Sequence, residues 1–141
     1  MPGADSLIRY LNETGIRTGV ISNNGWSGEA LKERLDRLLP ENRFEFVLSS
    51  ADYMIRKPDR RLFEIALLKA DLPPEKVWFC GDSYEKDVVG AHTAGIFPVW
   101  YEEETVERSP SNPAEAEEPS GFPCLHIRSL RELTDILEDL T

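Results

Sequence analysis

Three short polar segments follow apolar runs of the chain, and the first two carry groups that can bind phosphate. Residues 22–25 read Ser-Asn-Asn-Gly, in which a hydroxyl and several backbone N–H groups near a helix start can form an oxyanion cradle. Residues 56–59 read Arg-Lys-Pro-Asp, and a lysine just ahead of a helix can place a point charge on a phosphate. Each segment also has a simpler explanation: a plain turn with Ser27 as the helix cap for the first, and a surface lysine for the second.

The third segment, residues 81–87, carries two carboxylates at a spacing that suits a divalent cation. Asp82 stands at the tip of an apolar strand, and Asp87 stands in the first turn of the helix that follows. Mg²⁺ prefers oxygen ligands and keeps several of its waters, so two converging carboxylates form an appropriate partial ligand set. Acidic residues are also favoured at helix N-termini for electrostatic reasons alone. An apolar strand that leads into Gly-Asp-x-x-x-x-Asp is still the most specific of the three signals.

The elements that must position these segments are visible in the hydrophobic pattern. Apolar residues at helical spacing predict five helices. The first ends at Gly15, the next three lie between Ser27 and Pro40, between Asp59 and Ala70 and between Val88 and Gly95, and the last follows a capping box of Ser129 and Glu132. Strand-like apolar runs cover residues 18–22, 44–48, 77–80, 97–101 and 125–127. The third of these runs contains Cys80, which we therefore expect to be a buried small hydrophobe.

This alternation predicts the fold class. Strands that alternate with helices of about 10–15 residues specify a parallel sheet, because parallel neighbours need a crossover connection. Continuous apolar strands fit a sheet that is covered on both faces. We predict an α/β fold of three layers: a Rossmann-like open parallel sheet with helices on both faces. Since ligands bind beyond the carboxyl ends of such strands, the three polar segments should meet at one edge.

The three motifs together resemble those of the haloacid dehalogenase (HAD)-like hydrolase superfamily in order and spacing, in its branch of helical-cap phosphatases. The matching stretches are Ile-Ser-Asn-Asn at 21–24, Arg-Lys-Pro-Asp at 56–59, Gly-Asp-Ser-Tyr-Glu-Lys-Asp at 81–87, Gly-Ala at 90–91 and Ala-Gly at 94–95. The resemblance covers residues 2–101 and makes the domain a HAD-like core.

The resemblance implies hydrolysis of a phosphomonoester with Mg²⁺ as cofactor, through an aspartyl-phosphate intermediate. Carried over residue by residue, Ser22 and the Asn23 backbone N–H would bind the phosphoryl oxygens. Lys57 would be a catalytic residue that neutralises charge on the phosphoryl group and the nucleophile, while Asp82 and Asp87 would hold or orient the metal. These roles agree with the physical interpretation, since phosphoryl transfer depends on positioning and on charge neutralisation.

The chain departs from the family in its first motif. That motif is a strand ending in Asp-x-Asp, which carries the nucleophile and the general acid/base, and Asp-x-Asp does not occur in this sequence. Pro2-Gly3 looks like the point where family members resume after their cap, so we expect the chain to begin after the first strand and the cap. In the family that strand lies mid-sheet, between the strands ending at Ser22 and Gly81. Its removal leaves two unpaired edges unless the strands close up or another chain fills the slot.

Composition predicts a single domain over residues 1–141 and excludes several classes of partner. The chain has a net charge of −10 with 40% hydrophobic and 30% charged residues, a globular balance. Its acidity, without a Lys/Arg cluster, argues against nucleic acid and membrane surfaces, and its longest apolar stretches fall far short of the about 20 residues of a membrane helix. Two cysteines are too few for a disulfide scaffold. We expect a soluble cytoplasmic protein.

An acidic segment at residues 102–122 interrupts the alternation of strands and helices. Its stretch 102–118 holds seven Glu and one Arg around a Pro- and Ser-rich centre with no apolar periodicity. We expect a mobile loop within the domain, with a dedicated partner site as the alternative.

The sequence supports two functions of different classes. The first is a HAD-type phosphatase for a phosphorylated small molecule, inactive as this chain because the nucleophile lies in a portion that the chain lacks. The second is a non-catalytic module, derived from such a phosphatase, that binds phosphate or protein through the same crevice. In either case self-association or a second chain can supply the missing strand.

Overall fold

The computed structural model describes residues 2–102 and 122–140, and its elements follow the predicted alternation. The helices are α1 (Ala4–Glu13), α2 (Gly28–Leu38), α3 (Ser50–Tyr53), α4 (Arg60–Ala70), α5 (Gly90–Thr93) and α6 (Leu130–Leu140), with a 3₁₀ turn at Pro74–Lys76 and a π-helix at Tyr84–Val89. The strands are β1 (Val20–Ser22), β2 (Val47–Ser49), β3 (Trp78–Gly81), β4 (Phe97–Tyr101) and β5 (Leu125–Ile127). The mobile loop predicted over residues 102–122 lies outside the described residues, apart from its two ends.

Helix starts are set by the side chains that the sequence predicted as caps. Ser27 accepts a hydrogen bond from the Ala30 backbone N–H at 3.2 Å, and Asp59 accepts one from the Arg61 backbone N–H at 2.9 Å. These bonds satisfy backbone donors that a helix start leaves without partners. In the predicted capping box, Ser129 accepts from the Glu132 backbone N–H.

The strands form two parallel half-sheets. β1 pairs with β2 from Val20↔Val47 to Ser22↔Ser49, while β3, β4 and β5 form a second parallel set in that order. Within the described residues, β1 and β3 each have one hydrogen-bonded neighbour and are not paired with each other. The two strands therefore have not closed up, and we call the space between them the β1/β3 slot.

Two apolar clusters hold helices on both faces of the half-sheets. The first joins the half-sheets through α4, since Phe63 of α4 contacts Phe79 of β3 edge to face at 5.1 Å and also belongs to the cluster that contains Ile21 of β1. Its buried members are Ile21, Leu48, Leu62, Phe63, Ala66, Ala91 and Ile96. The second packs α1 and α6 against β4 and β5, with buried Val99, Tyr101, Ile127, Leu130 and Leu133. The predicted α/β class, with parallel strands and helices on both faces, is confirmed.

The prediction that Cys80 is buried is wrong. Successive residues of β3 point to opposite faces, and Trp78 and Cys80 share the exposed face of this edge strand while Phe79 faces α4. Crowding by neighbouring atoms desolvates the thiol, and this effect, followed by the charges of Asp87 and Asp82, raises the pKa of Cys80 to about 11. The thiol is therefore protonated at neutral pH, and a protonated thiol is a poor nucleophile and a poor metal ligand.

In the described part of the chain, every helix is too short or too polar to cross a bilayer.

Candidate phosphate and metal site

The three predicted polar segments lie at the carboxyl ends of parallel strands or in the loops beside them, and side-chain bonds join them. Ser22 is the last residue of β1, Lys57 lies in the loop between α3 and α4, and Asp82 directly follows β3. Hydrogen bonds link Asn23 to Lys57 and Lys57 to Asp87. These bonds bring Asn23, Lys57 and Asp87, which are far apart in sequence, together at this edge. Ser22 directly precedes Asn23, and Asp82 directly precedes Ser83, whose backbone N–H bonds to Asp87.

Asn23 holds the backbone of Lys57 through two reciprocal hydrogen bonds. Its Nδ2 group donates to the Lys57 carbonyl oxygen at 3.1 Å, and its Oδ1 atom accepts from the Lys57 backbone N–H at 2.8 Å. The amide therefore fixes the loop that carries the lysine. The sequence pattern indicates a role only for the backbone N–H of Asn23, because a turn asparagine does not reveal which distant backbone its side chain will bind.

Lys57 and Asp87 form a buried ion pair. The Lys57 Nζ atom lies 2.5 Å from Asp87 Oδ1, and the two side chains are only 12% and 4% exposed. The ammonium also lies 5.4 Å from the centre of the Phe79 ring, within reach of a cation–π contact. Asp87 Oδ2 accepts a hydrogen bond from the Ser83 backbone N–H at 3.0 Å. Each charge therefore offsets the cost of burying the other, and both carboxylate oxygens of Asp87 are engaged.

The backbone around Asp87 is a π-helix rather than the regular helix that the sequence pattern predicted. Ser83 O accepts from the Asp87 N–H at 2.9 Å and from the Val88 N–H at 3.3 Å, which widens the turn at this position. The carboxyl group of Asp87 packs against Gly81, where an added Cβ would lie only 2.3 Å from Asp87 Cγ. Gly81 is therefore required by the close approach of the buried carboxylate. Single wide turns of this kind are frequent at functional sites.

Two serines that the sequence motifs do not indicate bind the loop after β1 to the end of β2. Ser50 Oγ accepts from the Asn24 backbone N–H at 3.0 Å, and Ser49 Oγ, from a fully buried residue, contacts the Asn24 carbonyl oxygen at 3.2 Å. These bonds shape the backbone of the predicted oxyanion cradle. The only signal for them in the sequence is their place at the end of an apolar run.

The donor set fits Mg²⁺ in part. Among the residues that the structure describes, no hydrogen bond or ion pair engages the Asp82 carboxylate, whereas both oxygens of Asp87 are already engaged. Among the described residues, no three His, Cys, Asp or Glu side chains are grouped so that they could hold a metal ion. The oxygen chemistry suits Mg²⁺, with Asp82 as the available direct ligand and waters needed to complete the shell.

The fold defines the class of protein: an α/β core of parallel strands with helices on both faces. The chain belongs to the haloacid dehalogenase-like hydrolase family, whose model matches residues 1–101. It is 31% identical over 132 residues to a phosphoserine phosphatase of Thermus thermophilus, an alignment that covers 94% of this chain and 49% of the relative. It is 31% identical over 140 residues to the pyrimidine 5'-nucleotidase YjjG of Escherichia coli, covering 97% and 56%.

A solved structure gives the same assignment. The HAD phosphatase of Thermococcus onnurineus superposes with a TM-score of 0.72 and 26% identity, over 97% of this chain and 57% of that one. The predicted family is confirmed, and the chain spans about half the length of the relatives that it matches.

Proposed function

We propose that this chain is the motif-bearing core of a HAD-type phosphatase for a phosphorylated small molecule, and that it has no turnover by itself. The observation that carries the proposal is the Asn23–Lys57–Asp87 network at the carboxyl edge of the strands, because it fixes a buried lysine where a phosphate would be bound. The phosphatase and nucleotidase activities named for its relatives support the substrate class.

Within this proposal we assign a role to each candidate residue. The Ser22 hydroxyl and the Asn23 backbone N–H bind phosphoryl oxygens, and the Lys57 ammonium neutralises their charge. Asp82 holds Mg²⁺ directly, while Asp87 orients Lys57 through the ion pair. The metal, when bound, supplies further positive charge next to the phosphoryl group. Inactivity follows from the absence of an Asp-x-Asp nucleophile in the sequence, since no covalent phosphoryl route exists without it.

Two assays test this proposal. Incubation with p-nitrophenyl phosphate and Mg²⁺ should give no turnover above a buffer control. Turnover that follows the purified protein and disappears in Asp82→Asn would contradict the claim of inactivity.

Calorimetric titration with inorganic phosphate should give weak binding that Mg²⁺ strengthens, because each ion screens the charge of the other. Lys57→Ala should weaken phosphate binding. Asp82→Ala should lose the Mg²⁺ enhancement and keep or improve the basal binding. Wild-type phosphate affinity in Lys57→Ala would show that Lys57 does not bind the phosphate.

The alternative is a non-catalytic module that binds phosphate or protein. The β1/β3 slot favours a partner that supplies an extended segment, from a second copy or another chain, because both flanking edges present unpaired backbone groups. Light scattering over a concentration series tests self-association, and a constant monomer mass would exclude a second copy of this chain as the source of the segment. We retain the cytoplasmic location and the single domain as predictions from composition.

A further inference from the structure

Trp100 lies outside the residues assigned above, yet it contacts the turn that presents Asp82. It stands in β4, where it is paired in register with Gly81 of β3 and His126 of β5. The residue is buried, with 6% exposure. Its indole Nε1–H donates a hydrogen bond to the backbone carbonyl oxygen of Asp82 at 3.3 Å. A buried indole N–H needs such a partner, and here the partner belongs to the candidate metal ligand itself.

The same ring contacts the turn a second time, beyond Asp82. The Tyr84 ring, at the start of the π-helix, packs against Trp100 with ring centres 5.0 Å apart and an angle of 66°. Trp100 therefore touches the main chain at Asp82 and a side chain two residues further on. Two such contacts restrict both the position of the turn and the direction in which the Asp82 side chain leaves it.

Trp100 is itself held from its other side. The His126 ring stacks on the indole with centres 4.4 Å apart and an angle of 11°. The His126 Nε2 atom lies 3.2 Å from Glu102 Oε1, and that oxygen is also 3.4 Å from Arg128 Nη1. The indole is thus packed between the turn and a polar cluster anchored on β5. A ring fixed on both sides loses little freedom when the turn binds a ligand.

We propose that Trp100 is a positioning residue for the candidate metal site: it holds the turn of residues 81–84 so that the Asp82 carboxylate is already oriented for Mg²⁺. The inference rests on the proposed function in one respect, the role of Asp82 as a ligand. Groups that orient a metal ligand affect metal affinity without touching the ion. Mutation of such a group typically lowers metal affinity by roughly 10- to 100-fold, and a contact to the backbone of the ligand rather than to its carboxylate belongs at the lower end of that range.

The test uses Trp100→Phe, which keeps an aromatic ring and removes the N–H donor. Its matched control is Trp78→Phe, the same substitution at a 42% exposed position on β3, four residues before Asp82. Mg²⁺ affinity is measured by calorimetry in the whole chain, and exchange of the Ser83 amide hydrogen is measured in the metal-free protein. That amide bonds to Asp87 and lies within the turn. We expect Trp100→Phe to weaken Mg²⁺ binding by about tenfold and to accelerate Ser83 exchange, with neither change in Trp78→Phe.

Asp82→Asn separates this inference from the proposed function. If Trp100 acts through Asp82, then Trp100→Phe should cause no further loss of Mg²⁺ affinity in the Asp82→Asn background. If Trp100→Phe only destabilises the fold, it should lower the Mg²⁺ affinity of Asp82→Asn further. Wild-type Mg²⁺ affinity and Ser83 exchange in Trp100→Phe would overturn the inference, even if Asp82→Asn abolishes metal binding. If instead Asp82→Asn binds Mg²⁺ like the wild type, the metal role of Asp82 is wrong. In that case the inference is overturned as well, because faster Ser83 exchange in Trp100→Phe would show only that Trp100 holds the turn, not that it orients a metal ligand.

Discussion

At the scale of single residues, the main feature of this site is a lysine whose charge is already satisfied. Lys57 bonds to Asp87 in a nearly dry environment, and Asn23 holds its backbone in place. A phosphate that binds Lys57 must therefore share the ammonium with Asp87. This is the physical reason to expect weak phosphate binding until a cation reduces the negative charge of the site.

Removal of Lys57 should destabilise the fold much more than removal of an exposed lysine. Lys57→Ala leaves the Asp87 carboxylate buried without its counter-ion, which costs about 3 kcal/mol or more in comparable buried pairs. Lys32→Ala is the control, since Lys32 pairs with Asp36 on the exposed surface of α2, where such pairs contribute little. Urea denaturation measures both. Equal free energies of unfolding for the two variants would mean that the Lys57–Asp87 pair contributes nothing beyond a surface pair.

At the scale of elements, the junction between β3 and the π-helix brings two parts of the chain unusually close. The π-helix places the Asp87 carboxylate against Gly81, at a distance that no side chain at position 81 would allow. A regular helical turn with the same sequence would direct Asp87 elsewhere on the helix surface. The local backbone geometry therefore determines that Lys57 finds its partner.

Gly81→Ala should disrupt this junction. The added methyl group would overlap Asp87, so either the ion pair separates or the π-helix shifts, and we expect a loss of about 1–3 kcal/mol, as in other overpacked sites. Gly25→Ala serves as the control, because a Cβ at that glycine meets nothing within 4 Å. Both free energies of unfolding can be measured with urea. A fully stable Gly81→Ala variant would show that the Asp87 carboxylate is not confined there.

The cap of α4 should give a small acid-dependent contribution to stability. Side-chain and backbone hydrogen bonds from Arg61 lower the pKa of Asp59 to about 2. A depressed carboxylate pKa means that the stabilisation is complete above the unfolded value near 3.8 and is lost as the pH falls through about 2. Asp59→Asn keeps a capping side chain without the charge. The difference in unfolding free energy between wild type and variant should therefore shrink between pH 4 and pH 2; a pH-independent difference would contradict this assignment.

At the scale of the whole molecule, the candidate site is also a bridge between the two half-sheets. Asn23 belongs to the loop after β1 and Asp87 to the helix after β3, so Lys57 contacts both sides of the β1/β3 slot. The apolar cluster around α4 is a second link between the half-sheets. Occupation of the slot by an extended segment would therefore be expected to stabilise the site as well as the sheet.

Replacement of residues 103–119 by an uncharged Gly/Ser segment of equal length should leave the thermal unfolding midpoint nearly unchanged. The acidic stretch has no apolar stripe whose burial could offset the entropy of ordering it. The length is kept because β4 and β5 are parallel, and parallel neighbours cannot be joined by a tight turn. Calorimetric melting checks this expectation. A midpoint lower by more than a few degrees would mean that the segment contributes to the folded domain.

Much of this molecule could be predicted from local pattern alone. The helix and strand order, the caps at Ser27 and Asp59 and the parallel α/β class depend on hydrophobic period and on short-range hydrogen bonds, which a sequence records directly. The family assignment rested on three motifs whose order and spacing are equally local, and it was confirmed.

The tertiary structure alone decided the rest, because it depends on contacts between residues far apart in the chain. Exposure of Cys80 depends on which face of β3 the packed elements leave uncovered, which no property of the strand itself reveals. Likewise, the sequence proposed Lys57 and Asp87 for phosphate and metal separately, and only the fold joined them in one buried pair. A buried charge must take the partner that packing brings within reach, so its pairing is determined by the fold and not by its neighbours in sequence.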